Sequence, residues 1–245
     1  MNAIRAIRAL GPIDVKNVRR DALLRWMVFI PLVVALVVRW GVPYATRRSM
    51  EQFQFDLSPY YMLIISLLVM MAPMLFGMVI GFLLLDQRDD RTLMALQVTP
   101  LALNGYMAYR VAMPILLGVL LTMIVIPLAG LMTVDWLTIF LVAVATAPLT
   151  PVFALFFAAF AQNKVQGLAL MKVTGVVLVP PLIAYFVRSN WQLAFGLIPT
   201  YWPARLFWSL QTGDSNAWIY LVAGLAYQIV LLVAMLRRFN LTMHR

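Results

Sequence analysis

The sequence predicts an all-α integral membrane protein with six transmembrane helices, and three observations carry that prediction. Of its 245 residues, 64% are hydrophobic and only 11% are charged, whereas soluble domains carry about 25% charged residues. Four stretches, Leu57 to Leu85, Val111 to Val134, Trp136 to Asn163 and Ser215 to Leu236, contain no charged residue. Each exceeds the roughly 20 apolar residues of helix that cross a bilayer core. The basic residues, finally, are unevenly shared between the loops that these spans separate.

In chain order, the first element is a segment over 12–25 in which Val15, Val18, Ala22 and Trp26 recur at helical spacing while Lys16, Arg19, Arg20 and Arg25 fill the other faces. It predicts an amphipathic helix lying along a membrane surface, its cations near anionic headgroups. Span one, 26–42, carries Arg39 near its end. It is expected to be retained rather than cleaved as a signal peptide, since its apolar run starts behind a long basic segment and no small-residue cleavage site follows. Span two, 57–85, would extend about 43 Å as an ideal helix and must tilt or project from the bilayer. Its Gly77-x-x-x-Gly81 allows close helix approach, and packing within the chain is the favoured reading.

Spans three and four cover 110–134 and 136–162, and Pro148-Leu149-Thr150-Pro151 is expected to bend the latter by removing backbone donors. Span five, 167–187, carries Lys172 near its start. Between it and span six (215–236) lies Ser189 to Gly213, rich in Trp, Tyr, Phe and Pro. Its composition and its two prolines predict a short re-entrant or interfacial helical hairpin rather than a seventh span.

The charges give the topology. An N-terminus in the cytoplasm places fourteen of the 19 Lys and Arg residues inside and only Arg39, Arg47, Arg48, Arg188 and Arg205 outside. The positive-inside bias thus puts both termini in the cytoplasm of a cell (inner or plasma) membrane. The net charge of +10 is accounted for by this division and by membrane lipids, and does not call for nucleic acid.

Absent residues exclude several chemistries. There is no phosphate-binding G-x-x-x-x-G-K-[ST] loop, no cysteine, one histidine (His244) and one glutamate (Glu51), so no catalytic residue, metal site or cofactor is expected in this chain. Ion-coupled carriers usually bury ionisable groups within the membrane. Here Arg39, Arg110, Lys172 and Arg188 all lie near span ends and are expected to snorkel to headgroups. Energy for any transport would then come from another polypeptide.

The remaining polar concentration is Asp86-Gln87-Arg88-Asp89-Asp90-Arg91, five charges in six residues, running into Thr92-Leu93-Met94-Ala95-Leu96-Gln97-Val98-Thr99-Pro100-Leu101. Asp86 can cap a helix, Asp89 and Asp90 favour its positive N-terminal end, and Leu93, Leu96 and Val98 with Met94 offer apolar anchors. A docking helix over 86–101 fits a partner's cleft, while a plain solvated loop fits the same residues.

With these motifs in place, the chain resembles the permease subunits of ABC-2 type ABC transporters. Their first cytoplasmic loop carries an acidic and basic cluster, then Thr-Leu, a leucine and Thr-Pro, matched here by Asp86 to Arg91, Thr92-Leu93, Leu96 and Thr99-Pro100. This chain has Asp where the family often has Glu, and Arg91 where it has a glycine. Asn163-Lys164-Val165-Gln166-Gly167-Leu168-Ala169-Leu170-Met171-Lys172 is similar to the second inner loop, and Ile198-Pro199-Thr200-Tyr201-Trp202-Pro203 to the outer element before the last span. Among such permeases the chain looks most like small exporters of the fluoroquinolone-efflux kind.

The resemblance implies that 86–101 is a coupling helix seated in a separate ATP-binding subunit, present in two copies and holding ATP and Mg. Asn163, Lys164 and Gln166 would make a second contact, and a second permease subunit, identical or a related paralogue, would complete the pathway. It also implies that spans two and five line that pathway, where Tyr60, Tyr61, Met70, Met74 and Thr174 stand. Two readings from other classes stay open: an ion-coupled carrier or channel acting alone, which would move substrate without ATP, and a membrane scaffold or immunity protein recruiting a cytosolic factor.

Overall fold

The computed structural model describes residues 3–89, 103–187 and 189–243, and among these residues all regular structure is helical. Helix α1 (Ala3–Arg20) leads into α2 (Ala22–Phe53) through a break at Asp21. Asp21 causes that break locally: its backbone is extended and its carboxylate accepts the Leu24 amide at 3.1 Å, as an N-cap does. A 3₁₀ turn (Ser58–Tyr60) then opens α3 (Tyr61–Asp89), followed by α4 (Leu103–Ala129). Helix α1 therefore ends at Arg20, earlier than the residue 25 expected for the N-terminal amphipathic segment, and the helix that contains span one begins at Ala22.

Span four is divided into α5 (Trp136–Thr146) and α6 (Leu149–Phe160). Pro148 and Pro151 have no N–H to donate, and the ladder resumes with Thr150 to the Ala147 carbonyl (3.1 Å) and Val152 to the Pro148 carbonyl (3.2 Å). Span five is α7 (Lys164–Thr174), a 3₁₀ stretch (Gly175–Leu178) and α8 (Val179–Phe186), interrupted where Pro180-Pro181 lies. A 3₁₀ helix (Asn190–Leu197) and α9 (Tyr201–Thr212) occupy the aromatic segment before α10 (Ala217–Met243).

Six of these helices or helix pairs are long and apolar enough to cross a membrane. In the most apolar window of spans two and four 72% of residues are buried, against 17% to 33% in the other four. Spans two and four are thus the centre, and the others surround them. Leu116, Leu120 and Ile124 are exposed one turn apart on α4, and Val222, Ile229 and Val230 on α10. Such apolar faces suit lipid as solvent.

The central pair meets through glycine. A Cβ on Gly77 would lie 2.6 Å from both the Phe153 Cβ and the Thr150 carbonyl oxygen, and one on Gly81 would lie 2.7 Å from the Phe157 Cβ. The G-x-x-x-G face is therefore filled by α6 of the same chain. Around it Met70, Phe82, Phe157, Tyr201 and Phe207 are buried in one core. Helix α9 is part of that core, contacting α3, α5 and α10, and Trp202 pins the preceding 3₁₀ helix by donating its indole N–H to the Gly196 carbonyl at 2.9 Å.

Leu10 near the chain's start and Phe239 near its end share a second core with Leu84, Tyr106 and Tyr109. The start of α2, the end of α3, the start of α4, the end of α6 and the start of α7 gather at this same end of the bundle.

Gly81→Leu should lower thermal stability by about 1–3 kcal/mol, the usual range for overpacking a filled core. Gly175→Ala, which meets nothing within 4 Å, should leave it unchanged or slightly raised. Melting curves of the detergent-purified variants check both.

Candidate functional site

The last turn of α3 contains Asp86-Gln87-Arg88-Asp89. Successive residues of an α-helix point about 100° apart, so three neighbours can address three different elements, and here they do.

Arg88 reaches α6. Its guanidinium donates to the carbonyls of Ala158 (3.3 Å), Ala161 (2.8 Å) and Gln162. Helix α6 ends at Phe160 with Ala161 in extended conformation, so its final carbonyls have no intrahelical partners. A cation there satisfies them and complements the negative end of the helix dipole.

Gln87 reaches α4, accepting the Tyr106 hydroxyl at 2.8 Å in a buried contact. Asp86 reaches α7: Lys164 Nζ lies 3.0 Å from Asp86 Oδ2 and 2.5 Å from Asp21 Oδ2. Since the other Asp21 oxygen caps α2, Lys164 joins the starts of α2 and α7 to the end of α3. All three side chains are about a third exposed (27% to 37%), so screening keeps each pair's contribution small.

Asn163 and Gln166 work locally. Asn163 Oδ1 accepts the Gln166 amide (3.0 Å) and Gln166 Oε1 accepts the Gln162 amide (2.7 Å), a reciprocal arrangement like a capping box that fixes the start of α7. Both residues are otherwise exposed.

Beside this layer is a buried ion pair that local sequence reading missed. Arg110 Nη1 lies 2.8 Å from Asp14 Oδ2 and Nη2 lies 3.2 Å from Oδ1. Tyr109 donates to the same carboxylate at 2.8 Å, and Arg110 Nε donates to the Tyr106 hydroxyl at 3.1 Å. The Arg110 side chain is 2% exposed. The expectation that Arg110 snorkels is corrected: it is held inside by a bidentate carboxylate, a tyrosine hydroxyl and two ring faces (5.2 and 5.4 Å from the Tyr106 and Tyr109 centroids). Arg39 is exposed and donates to the Leu128 carbonyl at 3.2 Å, closing the end of α4. Lys172 is exposed, and Arg188 is outside the described residues. The signal for Asp14 was its rarity: with Asp21 it is one of two acids in a strongly basic segment.

Of the expected partner-binding residues, Asp86, Gln87, Arg88, Asn163, Lys164 and Gln166 are thus brought together at one end of the bundle. The expectation that Asp86 caps the start of a helix over 86–101 is corrected: α3 runs unbroken through Asp86 and ends at Asp89, and Asp90, Arg91, Thr92, Leu93, Met94, Leu96 and Gln97 lie outside the described residues. The five pathway candidates stand apart from this layer. Tyr61 shares a hydrogen bond with the Thr46 hydroxyl (2.9 Å), and the Tyr60 ring lies 6.0 Å from those of both Phe55 and Phe186. Met70 and Met74 are packed in the main core, and the buried Thr174 donates to its own helix at the Leu170 carbonyl (2.7 Å).

Burial alone would raise the Asp21 carboxyl, but its bonds to the Lys164 ammonium and the Leu24 amide outweigh that and hold it below its ordinary value of 3.8. A folded-state value below the unfolded one contributes stability above the unfolded pKa, and that contribution is lost as the pH falls through the folded one. Asp21→Asn should therefore lower the melting temperature at pH 7, and the gap to the native chain should close below about pH 4. Asp14→Ala should cost about 3–5 kcal/mol, because it strands a buried guanidinium, while Asp14→Leu with Arg110→Met should recover most of that loss. Melting temperatures across a pH series check the first, and denaturant or thermal unfolding of the three chains the second.

The comparisons with known proteins cover almost the whole chain. A family model described as "Fluoroquinolones export permease protein Rv2686c-like" matches residues 14–236. Two curated relatives, the fluoroquinolones export permease proteins Rv2686c and MT2760 from two strains of Mycobacterium tuberculosis, are each 32% identical over 242 residues, 96% of this chain and 94% of theirs. No solved structure matches.

Proposed function

The chain belongs to the Rv2686c-like family of fluoroquinolone export permeases, and from that premise we propose that it is the permease subunit of an ATP-driven, ABC-2 type exporter. It is a multi-pass membrane protein with six helices able to span the bilayer. In the proposal its termini and the polar end of the bundle face the cytoplasm, as the positive-inside bias favours. Two copies of an ATP-binding subunit bring ATP and Mg, and a second permease subunit, identical or related, completes the pathway.

The observation that supports coupling best is the three-way attachment of the last α3 turn. The proposed docking segment is 86–101, whose first four residues form the last turn of α3. Within that turn, Asp86, Gln87 and Arg88 are fixed to α7 and α2, to α4, and to α6. A displacement of the docked segment by nucleotide binding would thus act on five helices together, including both central spans. Packed interfaces of this kind switch between discrete arrangements rather than deform continuously.

The substrate is a hydrophobic or amphipathic molecule, and a fluoroquinolone, the compound class in the relatives' names, is the first to assay. The hydroxyl of Tyr201 and the indole N–H of Trp208 are buried on α9 without a hydrogen-bond partner among the described residues. In this reading they are polar groups that an opening between α9 and the core would present to substrate or water.

Asp89→Lys combined with Leu93→Glu should reduce fluoroquinolone-stimulated ATP hydrolysis by the co-purified complex at least about tenfold, since it reverses an orienting charge and removes an apolar anchor. The permease should remain inserted and folded. Unchanged hydrolysis and transport would refute the docking assignment, and transport by the purified chain in liposomes without ATP would refute the ATP-driven reading itself.

A further inference from the structure

Between α1, α2, α3 and α4 lies a half-open cavity of about 710 Å³, within the roughly 300–1,000 Å³ usual for sites that take small molecules. Its walls are apolar: Val18 from α1, Val28 and Phe29 from α2, Val79 and Leu83 from α3, Met113 from α4. Phe29 is about half exposed, so the cavity opens sideways through the apolar surface of the bundle.

The charges are all at one end. Asp14 and Arg110 form part of the lining, but they neutralise each other in the buried pair. The other nearby acid, Asp21, is engaged by Lys164. Arg19, in the last turn of α1, and Arg25, in the first turn of α2, also line the cavity, and both are exposed without an ion pair among the described residues. The cavity thus joins an uncompensated pair of guanidinium groups to a long apolar wall. From Phe76 to Leu83 that wall runs about 10 Å, and from Tyr109 to Leu117 about 12 Å. One leaflet's hydrocarbon is about 15 Å deep. These dimensions and this polarity match an amphiphile lying parallel to the spans, its anionic head at the polar end and its chain between the helices.

We infer that this cavity is a binding site for an anionic phospholipid of the leaflet nearer α1. Arg19 and Arg25 hold the phosphate, and an acyl chain fills the space along Phe29, Val79 and Met113. The bound lipid seats α1 against α2, α3 and α4 and shields the flank of the Asp14–Arg110 pair. The site is independent of the export pathway, and its test does not rely on transport.

The experiment is native mass spectrometry of the delipidated full-length chain, titrated with phosphatidylglycerol or with phosphatidylcholine of the same acyl chains. The native chain should retain one phosphatidylglycerol at least about tenfold more tightly than phosphatidylcholine, as expected for two arginines on one headgroup. Arg19→Gln with Arg25→Gln should remove that preference while leaving the melting temperature of the delipidated chain unchanged, and Val79→Trp should reduce retention of both lipids. Lys16→Gln with Arg20→Gln removes the same total charge, both from α1, at residues that do not line the cavity, and should keep the preference. Equal retention of the two lipids by the native chain, or equal loss of preference in both arginine- and control-substituted chains, would overturn the site. So would displacement of the lipid by soluble glycerol phosphate, which would make the site one for a headgroup alone, or by a fluoroquinolone, which would assign the cavity to the exported molecule.

Discussion

Arg88 closes the carbonyl end of α6, and much of the structure at this end of the bundle depends on that contact. Spans two and four are the central pair, and their glycine seam gives close approach but no polar interaction to fix where α6 stops. A helix ending near a membrane must have its last carbonyls satisfied. The guanidinium does so from α3, so the end of one central helix is completed by a side chain of the other. Ala161 and Gln162 are then held in place for the turn into α7, where Asn163 and Gln166 cap the next helix.

Around that contact other polar groups link the helix ends. Lys164 joins Asp21 and Asp86, Tyr106 joins Gln87 to Arg110, and Arg110 joins Asp14. Except for the Tyr106–Arg110 bond, which lies within α4, each link connects different helices, so together they fix helices relative to one another. The pairs are unequal in weight. The Lys164 links are partly exposed and contribute little to stability, whereas the Asp14–Arg110 pair is buried and breaking it is costly.

The spans were legible in the sequence because lipid imposes a simple requirement on them: about 20 uncharged residues for each crossing. The glycine face was legible as a close approach, and its partner was found in Thr150, Phe153 and Phe157 of the same chain. Arg110 was misread because proximity to a span end is a local property, while its partner Asp14 lies 96 residues away. Asn163 and Gln166 stood out as loop polar residues, and the structure shows each spending one polar atom on a helix start. Met70 and Met74 could be assigned to a span but not to a face, since α3 is apolar all round and buried on most sides.

If the end of α3 passes motion from a docked ATPase to α6, the Arg88 contact is where the transfer takes place. The direct measurement is fluoroquinolone export per ATP hydrolysed by the reconstituted complex carrying Arg88→Gln. In that variant the ATP-binding subunit should still co-purify and hydrolyse ATP while export per ATP falls severalfold. Export per ATP equal to that of the native complex, with the variant folded and assembled, would contradict it.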